Sequence, residues 1–118
     1  MAFLERLAGD ITTNNTSWQY VVTYTPSVDG IYLVEFHAVA RDSTTSDDGV
    51  YHVIHPYKRV SGTVTSTATR TVPVEVEDDG TWNANIDTDG TDIRGRVRGD
   101  AVNNVDWFVW MHVYGRTT

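Results

Sequence analysis

Three arginines alternate along the stretch "IRGRVR", Arg94, Arg96 and Arg98, in a chain whose formal charge is −7. Residues two apart on a strand share a face, so the three guanidinium groups would form a row. A row of like charges repels itself unless carboxylates oppose it. Glu75 and Glu77 are also two apart, in "VEVE", and share the outward face of another strand by the same rule. Two readings follow. Exposed ion pairs on a solvated face are the plainer one, each worth under ~1 kcal/mol. A contact between subunits, built from Arg94, Arg96, Arg98, Glu75 and Glu77, is the sharper one.

The acids of "DTDGTD" (87–92) raise the question of calcium. An EF-hand loop needs Gly at its sixth position and Glu at its twelfth. Counting Asp87 as the first residue, Gly90 is the fourth and Arg98 the twelfth. The spacing fits a short hairpin instead, since Asp and Gly tolerate left-handed geometry. The tripeptide Arg98-Gly99-Asp100 matches the adhesion signal that integrins read, but Gly and Asp are also ordinary turn residues, and a turn is expected there. His52 and His55 are three apart, which on a strand sends them to opposite faces. His37 and His112 fall within apolar stretches and are expected as half-buried neighbours of aromatic rings. No metal site and no cofactor are expected. The sequence holds no G-x-S-x-G elbow, no H-E-x-x-H, no glycine-rich phosphate loop and no Cys, so no catalytic residue is expected and no enzyme. The Asn-linked sequons at 14–17 would matter only in a eukaryotic secretory path.

Period-two alternation dominates the elements that must carry these residues. In "SWQYVVTYT", Trp18, Tyr20, Val22 and Tyr24 fall on one face; in "IYLVEFHAVA", Tyr32, Val34, Phe36 and Ala38 do. Val72, Val74 and Val76 are expected inward, as are Trp82, Ala84 and Ile86. The last strand aligns Val105, Trp107, Val109, Met111 and Val113. Pro56 cannot donate to a ladder and implies an edge or a bend. Only residues 2–9 have a pattern that a short helix would tolerate. About eight strands with turn signals every 8–12 residues or so predict an all-β antiparallel sandwich. It is divided into a short N-terminal arm (1–16) and one β-sandwich domain (17–118).

At 118 residues the chain is one domain, with four Trp, six Tyr and three Phe for its core. The acidic balance, with a pI of about 4.8, argues against binding nucleic acid, which needs cations to displace phosphate counterions. No apolar run approaches the ~18 residues of a membrane span, and no export signal is read at the start. The opening Met1 is taken as the start of a small, complete reading frame.

Two segments carry a resemblance. "YTPSVDGIYLVEFHAVAR" (24–41) resembles the tumour-necrosis-factor-like and complement globular-head jelly rolls. "VEDDGTWNANIDTDGTDIRGRVRGDAVNNVDWFVWMHVY" (76–114) is similar to a module of tail fibres and other virion proteins of tailed bacteriophages, where a "DDG-x-W" turn, a "GTDIR" strand and a final "V-x-W" strand occur together. The resemblance implies a jelly roll of about eight strands, assembled as a homotrimer on the virion, with no catalytic residues. The short length favours a capsid decoration (cement) protein, whose partners are itself and the major capsid protein or another virion protein. The alternative is a receptor- or carbohydrate-binding module of a tail fibre or tail tip. Tyr51, Tyr57 and Trp110 would then form an exposed ligand platform.

Overall fold

The computed structural model describes residues 1–117 as nine strands: β1 (Ala2–Thr13), β2 (Gln19–Tyr24), β3 (Gly30–Arg41), β4 (Asp48–Val60), β5 (Thr63–Ser66), β6 (Thr71–Glu77), β7 (Asn83–Thr88), β8 (Ile93–Arg98) and β9 (Val105–Thr117). Every pairing is antiparallel. The large sheet runs β1-β9-β3-β4-β5, with β6 also on β4; the small sheet runs β2-β8-β7. The chain is an antiparallel β-sandwich, as the alternation predicts. It changes sheets at β1–β2, β2–β3, β6–β7 and β8–β9, whereas β3 and β4 form a hairpin within the large sheet.

The core lies between the sheets and follows the period-two pattern. Tyr32, Val34, Phe36 and Ala38 from β3 meet Val105, Trp107, Val109, Met111 and Val113 from β9, and the small sheet adds Ala84, Ile86, Ile93 and Val97. Each fully buried side chain of this size contributes roughly 1.5–3 kcal/mol relative to exposure. Phe3, Tyr24 and Tyr32 cluster at one end, and Tyr51, Trp82 and Trp107 at the other. Gly95 of β8 has no space for a side chain: a Cβ there would sit 2.4 Å from a ring carbon of Phe36.

Four expectations need correction. Residues 2–9 are strand, not helix; the segment read as an arm carries β1, paired along its whole length with β9. The alternation of Phe3, Leu7 and Ile11 against polar neighbours places those three on the core side. The face assigned to β2 is broken by a bulge between Tyr20 and Val22. One extra residue flips the pattern, so Val22 is buried while Tyr20 is exposed on the other side. Pro56 neither ends nor edges β4. It sits where β4's far neighbour changes from β6 to β5, and its carbonyl accepts from the Thr67 amide instead. Finally, Val72, Val74 and Val76 are exposed, by 39, 36 and 66%. The small sheet packs on β1, β3, β4, β5 and β9 and leaves β6 largely uncovered. The register Val50↔Val76 and His52↔Val74 then sets Val74 and Val76 on the outer face.

Candidate functional site

Two outward faces gather the residues with chemistry. On the small sheet, Arg94, Arg96 and Arg98 do share one face, and the guanidinium groups of Arg96 and Arg98 lie over the Trp18 ring at 4.2 and 4.9 Å. Arg94 lies over Tyr20 at 4.1 Å. The bulge in β2 is what turns Tyr20 toward them. The carboxylate partner within the chain is Asp87, not Glu75 or Glu77. Arg94 makes a two-pronged contact with Asp87, both N···O distances 2.9 Å, and Arg96 lies 3.7 Å from the same carboxylate. Asp89 adds a further contact to Arg94 at 3.7 Å. The hydrogen bond to Asp87 holds the Arg94 pKa above its ordinary range.

Glu75 and Glu77 belong to the other sheet. Glu75 pairs with Tyr51 across the β4–β6 ladder, and Glu77 accepts a hydrogen bond from the Tyr51 hydroxyl. Burial of the ring, and after it that bond, push the Tyr51 pKa far up. The spacing rule places each pair of charges correctly on its own strand. It cannot say which strands meet. Asp87 and Arg94 each stand two residues outside the "DGTD" turn (89–92) and face each other in the β7–β8 register; that symmetry is the signal the sequence offers.

The second face is the outer surface of the large sheet, and the strand registers lay it out in rungs. Between end rungs Thr12–Asp106–Arg41–Asp48 and Ala2–Arg116–Ile31–Lys58 come, in order, Asp10–Phe108–Val39–Val50–Val76 and Ala8–Trp110–His37–His52–Val74. Arg6–His112–Glu35–Ile54 and Leu4–Tyr114–Leu33–Pro56 follow. Phe108, Val39, Val50, Leu33, Leu4 and Tyr114 are all exposed, Phe108 by 49%. A solvated sheet face ordinarily alternates to polar residues, so this one is unusually apolar.

At its centre the rings of His52, His37 and Trp110 stack, with centroids 4.1 and 4.9 Å apart and planes within 18° and 3°. His112 meets His37 edge-on at 5.9 Å. Glu35 lies among them: the Tyr114 hydroxyl donates to its Oε2 at 3.2 Å, and His52 Nε2 is 3.8 Å from its Oε1. Burial pushes the His37 pKa down, and the neighbouring His52 and His112 act in the same direction against Glu35. His37 and His112 are half-buried beside aromatic rings, as expected. His55 lies on the opposite side of the sheet from His52, bridging Tyr57 and Ser66 at 2.8 Å each.

The proposed platform of Tyr51, Tyr57 and Trp110 does not exist as a unit. Tyr51 and Tyr57 are each 1% exposed inside the core, because β4 turns its odd-numbered residues inward there; Trp110 alone is on the outer face. The "DTDGTD" segment is a hairpin turn. The Asp89 carboxylate accepts from the amides of Thr91 and Asp92 at 2.9 and 2.8 Å, and Gly90 takes the left-handed conformation, φ 95°. Asp100 of the Arg-Gly-Asp tripeptide likewise accepts from the amides of Val102 and Asn103.

The architecture is that of a two-sheet antiparallel sandwich with one long, uncovered outer face. It is similar to a solved structure, the tailspike protein of Acinetobacter baumannii phage AM24, with a TM-score of 0.52 and 7% sequence identity. The similarity covers 99% of this chain and 27% of that one. No family model and no curated protein matches the sequence.

Proposed function

We propose that the chain is a structural virion protein of a tailed phage, a homotrimeric decoration protein on the capsid surface. The observation that carries this reading is the outer face of the large sheet, where exposed Phe108, Val39, Val50, Val76, Leu4, Leu33 and Tyr114 flank the rung of Arg6, His112 and Glu35, extended by strand β6. Four strands of 12 or 13 residues, about 4.8 Å apart and some 40 Å long, with the shorter β6 beside them, present roughly 800 Å², about what one partner contributes to a stable protein interface. The occupant proposed for this face is a second copy of the chain. The arginine row, stacked on Trp18 and Tyr20, is then left for the neighbouring virion protein, the major capsid protein on this reading. The phage setting rests on the resemblance of residues 76–114 to tail-fibre and virion modules and on the fold likeness to a phage tailspike.

That likeness also favours a second reading, a receptor- or carbohydrate-binding module of the tail. Its platform would be drawn from Trp110, Phe108 and Tyr114 on the outer face, not from Tyr51 and Tyr57. Cryo-electron microscopy of particles of the phage encoding the chain separates the two. Density for the chain on the capsid in clusters of three is the expected result. Density confined to the tail tip would replace the first reading with the second, and particles lacking the chain would remove both.

A further inference from the structure

The geometry points to a binding site for one divalent first-row transition ion, zinc being the type case, formed by Glu35, His37 and His112. Each offers one donor atom, and these atoms lie within 4.8 Å of one another on the outer face of the large sheet. Two imidazoles and a carboxylate are a set that borderline ions such as zinc, cobalt(II) and nickel(II) accept, whereas calcium and magnesium prefer all-oxygen sites. A tetrahedral ion with bonds of about 2.0–2.1 Å holds its donors roughly 3.4 Å apart. Closure by small side-chain rotations therefore suffices.

Three further features suit a site more than a chance cluster. The His37 ring is held between those of Trp110 and His52, so little side-chain freedom is lost on binding. Glu35 already has a supporting donor, the Tyr114 hydroxyl, of the kind that orients a ligating carboxylate. His52 Nε2 is buried, has no hydrogen-bond partner among the described residues, and lies 3.8 Å from the same carboxylate. It supplies a second support for that carboxylate. Arg6, opposite His112 in the register, opposes a cation, but it is exposed and screened by solvent. The site joins β3 and β9, and its outward side stays open to water or to a donor from another molecule. This inference stands apart from the virion reading.

Isothermal titration of the full, metal-stripped chain with zinc chloride tests it. One ion per chain with micromolar or tighter affinity is expected. Glu35→Gln, His37→Asn and His112→Asn should each weaken binding at least tenfold, while His55→Asn, on the other side of the sheet, should leave it unchanged. A titration with cobalt(II) needs no variant: intense d–d absorption of a four-coordinate ion is expected. Absence of saturable zinc binding, a cobalt spectrum that stays that of the hydrated ion, or binding that survives both His37→Asn and His112→Asn would overturn the site.

Discussion

Among single residues, Gly95 is a tight constraint inside the core, since its missing side chain lets the Phe36 ring lie against β8. Gly95→Ala would place a carbon 2.4 Å from Phe36 Cε1 and 2.9 Å from Val22 Cγ2. Overpacking of this kind costs typically 1–3 kcal/mol, and about 1 kcal/mol moves a domain of this size by ~4 °C. Thermal unfolding of the variant should therefore come some 4–12 °C lower; an unchanged midpoint would mean that the sheets separate freely there. Acid sensitivity also arises from individual side chains. The Asp29 carboxylate accepts from the amides of Ser61 and Gly62, and the Asp89 carboxylate from those of Asp92 and Thr91; these bonds hold both below their ordinary pKa of 3.8. A carboxyl group whose pKa is lowered by folding stabilises the fold above its unfolded pKa and loses that contribution as pH falls through the folded value. Stability should thus be level from neutral pH to about pH 5 and decline below about pH 4. Asp89→Asn should flatten that decline in denaturant titrations repeated across the range.

Within strands and turns, the sequence was most legible where one face is dry. Both long strands β3 and β9 alternate as read, because burial between two sheets enforces the period. It was least legible where the structure adds a residue or removes a cover. The bulge at Val21 turns Tyr20 out to the arginines, and β6, alternating Val with Glu, is exposed on both faces up to Glu77 because the small sheet packs on the other strands. The spacing groups the arginines on one face and the two glutamates on another, but the glutamates lie on the Tyr51 side of β6, and within one chain the arginines meet Asp87 of β7; pairing between strands distant in sequence leaves no local mark. Glu35 escaped notice as a companion of His37 and His112 for the same reason. The "DTDGTD" hairpin was legible, and it carries its own prediction. The Asp89 carboxylate is already used by two amides, and Asp87 by Arg94, so few free oxygens converge. A ligand that binds only the folded chain must raise its stability. Melting in millimolar calcium and in excess chelator should therefore agree within about 2 °C once other divalent ions are removed. A rise of ten degrees with calcium would show that the turn takes an ion after all.

For the molecule as a whole, the question is what covers the large sheet. The chain is elongated, 49 × 22 × 22 Å, and its long face exposes Phe108, Val39, Val50 and Val76 side by side, next to the rung of Trp110, His37 and His52. Contiguous apolar patches of several hundred Å² on soluble chains mark interaction surfaces. If a second copy is the occupant, light scattering should give a trimer of about 40 kDa from the 13.2 kDa chain. Substitutions then tell the two candidate faces apart. Phe108→Asp places a charge amid apolar groups that would be desolvated on assembly, a cost of several kcal/mol, and should yield a folded monomer. Arg96→Glu should leave the trimer intact if the arginine row faces another virion protein. Its carboxylate would stand near Asp87, and the stack on Trp18 would be lost, so its effect should appear as a lower melting point and reduced particle attachment. Should Arg96→Glu dissociate the trimer while Phe108→Asp does not, the charged face is the self-interface and the apolar face belongs to the particle. A wild-type monomer at micromolar concentration would exclude self-assembly in solution through either face.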